Sequence, residues 1–282
     1  MSIGKKLGQL AAGLLAAGIL ALAAGTWVFP EEKDTVAALG GFRLSVMGIG
    51  AGLSLLTELA FAGGWIAAGR KARPEEDGPG RLINGLGFGL LPAAALWKIF
   101  EQKTSRGQGL PLPEGIAGSL PDPGLMAAGG RWLPGRIETI LALLLFAGVI
   151  LWLAMRRERL PETGDLPGVC LASWAALRLV TAGFREGQEL LPGTVSAESL
   201  LALAALIAGF LPAAVRLGRR ETGRAWLAAC IPVLMASAAA VLLIQHRTLE
   251  TGNAAADLIL QAAFALLALK AVLCAGRVSR RG

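Results

Sequence analysis

The chain has no tyrosine, one histidine (His246) and three cysteines in 282 residues. Cys170, Cys230 and Cys274 all lie inside apolar blocks, and none has a Cys or His partner at metal-ligand spacing. They read as small buried residues, a role free cysteine fills well, and they imply no disulfide framework. Charge is also scarce. Only 17% of residues are charged, against about a quarter in an ordinary soluble domain, so that class is excluded. Disorder is excluded too, because it needs low hydrophobicity and this chain is 54% hydrophobic with a mean hydropathy of +0.59. There is no nucleotide-binding loop, no HExxH pattern, no Gly-x-Ser-x-Gly elbow and no cysteine pair. Neither a cofactor nor a metal site is expected.

What is present is apolar sequence in long blocks. A bilayer core needs about 20 apolar residues per helix. Eight blocks qualify, at approximately 8–29, 44–69, 82–100, 137–155, 166–184, 196–215, 225–245 and 256–275. The expected fold is therefore an all-α, polytopic membrane helix bundle forming one membrane domain over 1–282. The first block also has features of a signal peptide: Lys5 and Lys6 precede it, and Ala21-Leu22-Ala23 is a small-x-small pattern. Its apolar run continues through Trp27, Val28 and Phe29, which favours an uncleaved helix.

The net charge of +7 and pI near 9.9 do not point to nucleic acid, because the positive charges sit at the ends of apolar blocks. With the N-terminus in the cytoplasm, 16 of the 27 Lys and Arg fall on inside segments. The clusters GRKAR, RRER and RLGRR then close helices that descend inward. This asymmetry predicts eight spans with both termini inside and a multi-pass protein of the bacterial inner membrane. The stretch 101–136 is rich in Gly and Pro and would be a long external connection, either a flexible loop or a functional one. Gly48 and Gly52, and Gly85 and Gly89, are small pairs four apart that let helices approach closely.

A charged group deep in a membrane is costly and usually faces a bundle interior or a wet cavity. Glu58 lies near the middle of the second block and Arg178 within the fifth. Lys270 is close enough to a helix end to snorkel. Trp174, Arg178 and Arg185 recur at spacings of four and seven, on one helical face. Such a face offers bidentate donors for phosphate; the alternative is an internal ion pair with a residue such as Glu58. Asn84, at the start of the third block, could cap that helix or join a polar network. His246 is expected at an interface.

The stretch "RWLPGRIETILALLLFAGVILWLAMRRERLPETGDLPGVCLASWAALRLVTAGFREGQE" carries a resemblance. A Pro-rich approach leads to a helix with a Glu, then a basic loop, a Gly-Asp entry and an Arg-x6-Arg-Glu stripe. In that order, region 129–215 resembles the C-terminal half of bacterial prolipoprotein diacylglyceryl transferases. These move diacylglycerol from phosphatidylglycerol to the cysteine thiol of a lipoprotein precursor. The resemblance extends over roughly 175 of the 282 residues, with 41–216 as the transferase-like region and 222–276 as an additional C-terminal helix pair.

The resemblance implies that Arg178 is the family's essential arginine and Glu138 its helix glutamate, as the catalytic pair. Arg185 and Glu186 fall on the Arg-Glu that ends the stripe. Gly80, Arg81, Asn84 and Gly85 match part of a Gly-Arg-x2-Asn signature. Arg185, Glu186, Arg81 and Asn84, with Glu58, form the candidate substrate site. The implied partners are phosphatidylglycerol and a lipoprotein signal peptide. The chain also departs from the pattern. Trp174 replaces the stripe tyrosine, Ala182 the stripe glutamate, and Ser45 the tyrosine of the first helix entry. The anion-binding arginines are kept and the usual proton-transfer groups are not. The readings are thus a divergent transferase, a catalytically inactive lipid- or partner-binding protein, or a small transporter or assembly subunit.

Overall fold

A computed structural model describes residues 35–39, 42–72, 78–103, 109–112, 127–128, 130–155, 164–182, 185, 197–219, 221–251 and 255–281. Seven helices are described: α1 (Val46–Ala72), α2 (Gly78–Glu101), α3 (Pro134–Ala154), α4 (Asp165–Thr181), α5 (Ala197–Gly218), α6 (Glu221–Thr251) and α7 (Ala255–Arg281). Each coincides with one of the apolar blocks after the first. Block 8–29 and Glu186 lie outside the described residues. Five helices, α1, α2, α3, α5 and α6, are long and apolar enough to cross a membrane. Helix α4 has 17 residues, and the apolar part of α7 is the shorter segment Ile259–Cys274. The chain is a helical membrane protein.

Local chemistry sets several helix ends. Ser45 closes strand β2 (Phe42–Ser45), which pairs antiparallel with β1 (Thr35–Leu39). Its buried Oγ accepts the Gly48 N–H at 2.9 Å, so the position matched to a family tyrosine is here the N-cap of α1. Helix α3 opens on Pro134, whose missing N–H costs nothing in a first turn. Helix α4 is capped by Gly164 at φ +88°, a left-handed conformation that glycine adopts without a Cβ clash.

The helices pack through small residues and apolar layers. Helices α1 and α2 meet closely, as the Gly85 and Gly89 spacing predicts. A Cβ on Gly85 would come within 2.7 Å of the Ala62 backbone, and one on Gly89 within 2.8 Å of the Glu58 backbone. Gly87 abuts the Pro167 backbone of α4, and Gly168 of α4 faces Gly209 of α5. Leu179, Leu206, Leu217, Leu234, Val241 and Ala265 form the core between α4, α5, α6 and α7. Leu91, Val149, Leu166 and Cys170 centre a second cluster, edged by the packed rings of Phe61, Phe88 and Phe146. Cys170 and Cys230 are buried, and Cys274 is partly so.

The connection over 101–136, expected to be a loop, is in its described parts a small β structure. Strands β3 (Ala127–Ala128) and β4 (Arg131–Trp132) pair antiparallel. Residues 109–112 run alongside: Trp132 N–H donates to Leu110 O, and Leu112 N–H donates to Gly130 O. Gly109 bridges to Arg185, beyond the end of α4, and a Cβ there would come within 2.4 Å of the Trp132 carbonyl. Among the described residues, backbone groups of 109–112 and 127–132 are thus paired with each other and with Arg185, forming a small β cap at the end of α4.

The packing makes a specific expectation. In thermal unfolding of purified protein in detergent, Gly87→Ala should destabilise by about 1–3 kcal/mol, because the methyl meets backbone that must shift. Gly64→Ala, with open space around its Cβ, should unfold no earlier than the parent. Equal stability of Gly87→Ala and the parent would refute the close α2–α4 contact.

Candidate functional site

Six charged side chains converge beneath the β cap. Helix α2 supplies Lys98 and Glu101 from its last turn, three residues apart and so on one face. Helix α3 supplies Glu138 from its second turn. Thr139 beside it fixes the two helices together, its hydroxyl lying 2.7 Å from Gly135 O and 3.3 Å from Ala95 O. Helix α4 supplies Arg178 and Thr181. Arg185 follows the end of α4, where the bridge to Gly109 holds its backbone. Helix α5 supplies Glu198 from its first turn.

Glu138 is the centre, at 0% exposure. Its Oε1 accepts from Arg178 Nη1 at 2.5 Å and from the Thr181 hydroxyl at 2.6 Å. Its Oε2 accepts from Arg185 Nη2 at 2.8 Å and lies 3.1 Å from Lys98 Nζ. Arg185 also forks onto Glu101, with Nη1 and Nη2 each 3.0 Å from a different carboxylate oxygen, the bidentate geometry that strengthens such pairs. Lys98 pairs with Glu101 as well. Arg178 turns its other nitrogen, Nη2, to Glu198 at 2.5 Å. Trp174 lies against the group, its ring centre 5.9 Å from Lys98 Nζ and 6.0 Å from Arg178 Cζ.

Three cations thus face three carboxylates. Burial works against the charge of Arg185, but the facing Glu138 and Glu101 outweigh it and hold the guanidinium more firmly protonated than in water. The group grades from closed to open. Glu138, Lys98 and Arg185 are sealed, the Arg178 side chain is 13% exposed and that of Glu198 is 36% exposed. A general base must come within hydrogen-bond reach of the proton it takes. Glu138 has both oxygens occupied and no exposed surface. Arg178 and Glu198 are where the group meets its surroundings.

Of the residues singled out from the sequence, Arg178, Glu138 and Arg185 come together. Arg81 and Asn84 do not join them. They sit near the other end of α2, 17 and 14 residues from Lys98, about 25 and 21 Å along the helix axis. There Asn84 Oδ1 accepts the Gly164 N–H at 3.2 Å and fixes the start of α4, next to an Asp165–Arg216 ion pair. Asn84 therefore does serve a helix end, that of α4 rather than its own. Glu58 is half-buried midway along α1, away from Arg178, and makes no ion pair with it. His246 belongs to α6.

Four members of the group were not singled out beforehand: Lys98, Glu101, Thr181 and Glu198. Lys98 and Glu101 look like charges at a span end, and Glu198 like an acid suited to a helix N-terminus. The available signal was charge at matching depth on consecutive helices: Lys98 and Glu101 near the end of one span, Glu138 near the start of the next. No family model, no curated protein and no solved structure matches the chain.

Removing one partner from a buried ion group leaves the others uncompensated, at about 3–5 kcal/mol. Glu138→Ala should therefore lower the unfolding temperature in detergent well below that of the parent. Glu198→Ala, at the open edge, should do so much less. If the order were reversed, Glu138 would not be the centre of the group.

Proposed function

We propose that this protein is a bacterial inner-membrane protein of the prolipoprotein diacylglyceryl transferase type, and that it binds an anionic diacylglyceryl phospholipid, phosphatidylglycerol, at the outer face without transferring it. One observation carries this reading. Arg178, the residue the resemblance marks as essential, is the only cation of the group with an appreciably exposed side chain, and its outward nitrogen is held by the half-exposed Glu198. A phosphodiester that replaced Glu198 would meet the same guanidinium face. The guanidinium geometry suits it, because two parallel N–H donors match two phosphate oxygens.

The sealed position of Glu138 and the absence of tyrosine favour binding over transfer. The placement of the charged end outside follows from the Lys/Arg asymmetry of the sequence. A second reading, active transfer to the thiol of a lipoprotein precursor, is favoured by one observation: Glu138, Arg178 and Arg185, matched separately to the family pattern, meet in one group. The transporter alternative would need a polar stripe crossing several helices. Among the described residues, the paired charges instead gather at the two ends of α2 and α4.

Native mass spectrometry of protein purified with phosphatidylglycerol tests the binding reading. Arg178→Ala should retain several-fold less lipid than the parent, and Lys270→Ala, on the exposed side of α7, should match the parent. Arg178→Lys should recover little, because a single ammonium lacks the fork. Equal retention by all the variants would overturn the assignment of Arg178. In a transfer assay with labelled phosphatidylglycerol and a one-cysteine signal peptide, a thioether product lost in Arg178→Ala would replace binding with catalysis.

A further inference from the structure

Helices α3 and α7 each pack against α4 but hardly against each other. The gap between them is a groove of about 380 Å³. Helix α3 forms one wall, from Leu141 to Trp152. Val169 and Ser173 of α4 form the floor, and Leu269 and Leu273 of α7 form the other wall. Leu141, Leu145, Gly148 and Trp152 recur at spacings of three and four, so one stripe of α3 faces the groove along its length. Ser173 and the Trp152 ring bring the polar side-chain atoms, and the lining carries no charge. The groove lies apart from Arg178: Val169 and Arg178 are nine residues apart on α4, about half a turn around it.

The dimensions of the groove select its occupant. Leu141 and Trp152 are 11 residues apart, about 16 Å along the axis of α3. That is half of a hydrocarbon core about 30 Å thick, the reach of the chains of one leaflet. Spread over that length, 380 Å³ gives a channel about 5 Å across. A helix with its side chains is about 10–12 Å across and does not fit. A single extended hydrocarbon chain does, with carbon contacts at about 3.5–4.0 Å. The groove is continuous with the lipid-facing surface of the bundle: Leu144 at its rim is 61% exposed and Leu273 is 38% exposed. Trp152 lies two residues from the end of α3, where an indole sits at headgroup level. Gly148 is exposed, and a Cβ there would meet nothing within 4 Å, so the space above it belongs to the groove.

Water does not fill an apolar cavity, and empty space forfeits the dispersion contacts of its lining. Acyl chains are what the bilayer supplies at this depth. We propose that the α3–α4–α7 groove holds one acyl chain of a phospholipid from the leaflet on the side away from the ion group, with the chain over Gly148 and its glycerol end beside Trp152. Lipid tails are as apolar as leucine, so shape and contact hold the chain, and headgroup charge does not. The groove therefore takes phosphatidylglycerol and phosphatidylcholine alike, whereas Arg178 would distinguish them. The site does not depend on the reading given to Arg178.

The test places the full chain in phosphatidylcholine vesicles with a trace of phospholipid bearing a diazirine in mid-chain. The probe is used once as phosphatidylcholine and once as phosphatidylglycerol, and the crosslinked peptides are mapped by mass spectrometry. Both probes should label 141–152 and 269–273 several-fold more than the open face of α5 around Leu211, which bulk lipid covers. Gly148→Trp fills the groove and should cut that labelling on the order of tenfold, the cost of overfilling a packed site. Gly148→Leu should fall between, and Gly148→Ala should label like the parent. All three should unfold at the parent's temperature, since the added Cβ meets open space. Groove labelling equal to that of the α5 face, or unchanged in Gly148→Trp, would overturn the proposal. Labelling by the phosphatidylglycerol probe alone would overturn a site held by shape. A Gly148→Cys variant that crosslinks two copies would assign the groove to a neighbouring chain and overturn the lipid as its occupant.

Discussion

The Glu138 carboxylate is the point on which one end of this bundle depends. It accepts from Arg178, Arg185 and the Thr181 hydroxyl and lies beside Lys98, with no exposure. Through those partners it joins α2, α3, α4 and the residue that follows α4. Glu198 adds α5 through Arg178. An anion so buried is stable only while its partners remain in place, so the relative positions of these helices are constrained together. The β cap belongs to the same constraint: Arg185 contributes its backbone to the bridge with Gly109 and its side chain to Glu138 and Glu101.

The helices were legible in the sequence because lipid imposes a simple rule: enough consecutive apolar residues to cross, with every backbone group bonded inside the segment. Seven blocks became seven helices. The small-residue contacts were legible in part. Gly85 and Gly89 were readable from their spacing, whereas Gly87 against Pro167 and Gly168 against Gly209 are contacts between separate helices. No spacing within one helix records a neighbour on another.

The site was legible in the same uneven way. Arg178 stood out because a charge inside an apolar block is costly, and Glu138 and Arg185 followed from a pattern around it. Lys98, Glu101 and Glu198 sit where charges are common at helix ends, so their meeting in one group is a tertiary fact. Arg81 and Asn84 fail as partners of Arg178 for a reason of length. A spanning helix separates its two ends by tens of ångströms, and a motif on one end does not serve chemistry on the other.

The charge balance also has an order in time. The buried set enters the membrane helix by helix. Helix α2 brings Lys98 and Glu101, which pair with each other and leave no net charge. Helix α3 adds Glu138, a net −1. Helix α4 and its extension add Arg178 and Arg185, a net +1. Neutrality returns only when α5 delivers Glu198. During synthesis the nascent bundle therefore passes through two charged stages. The first lasts until Arg178 emerges, 40 residues after the glutamate it pairs with. The last contact in this sequence is also the most exposed one, so the group becomes neutral at its open edge.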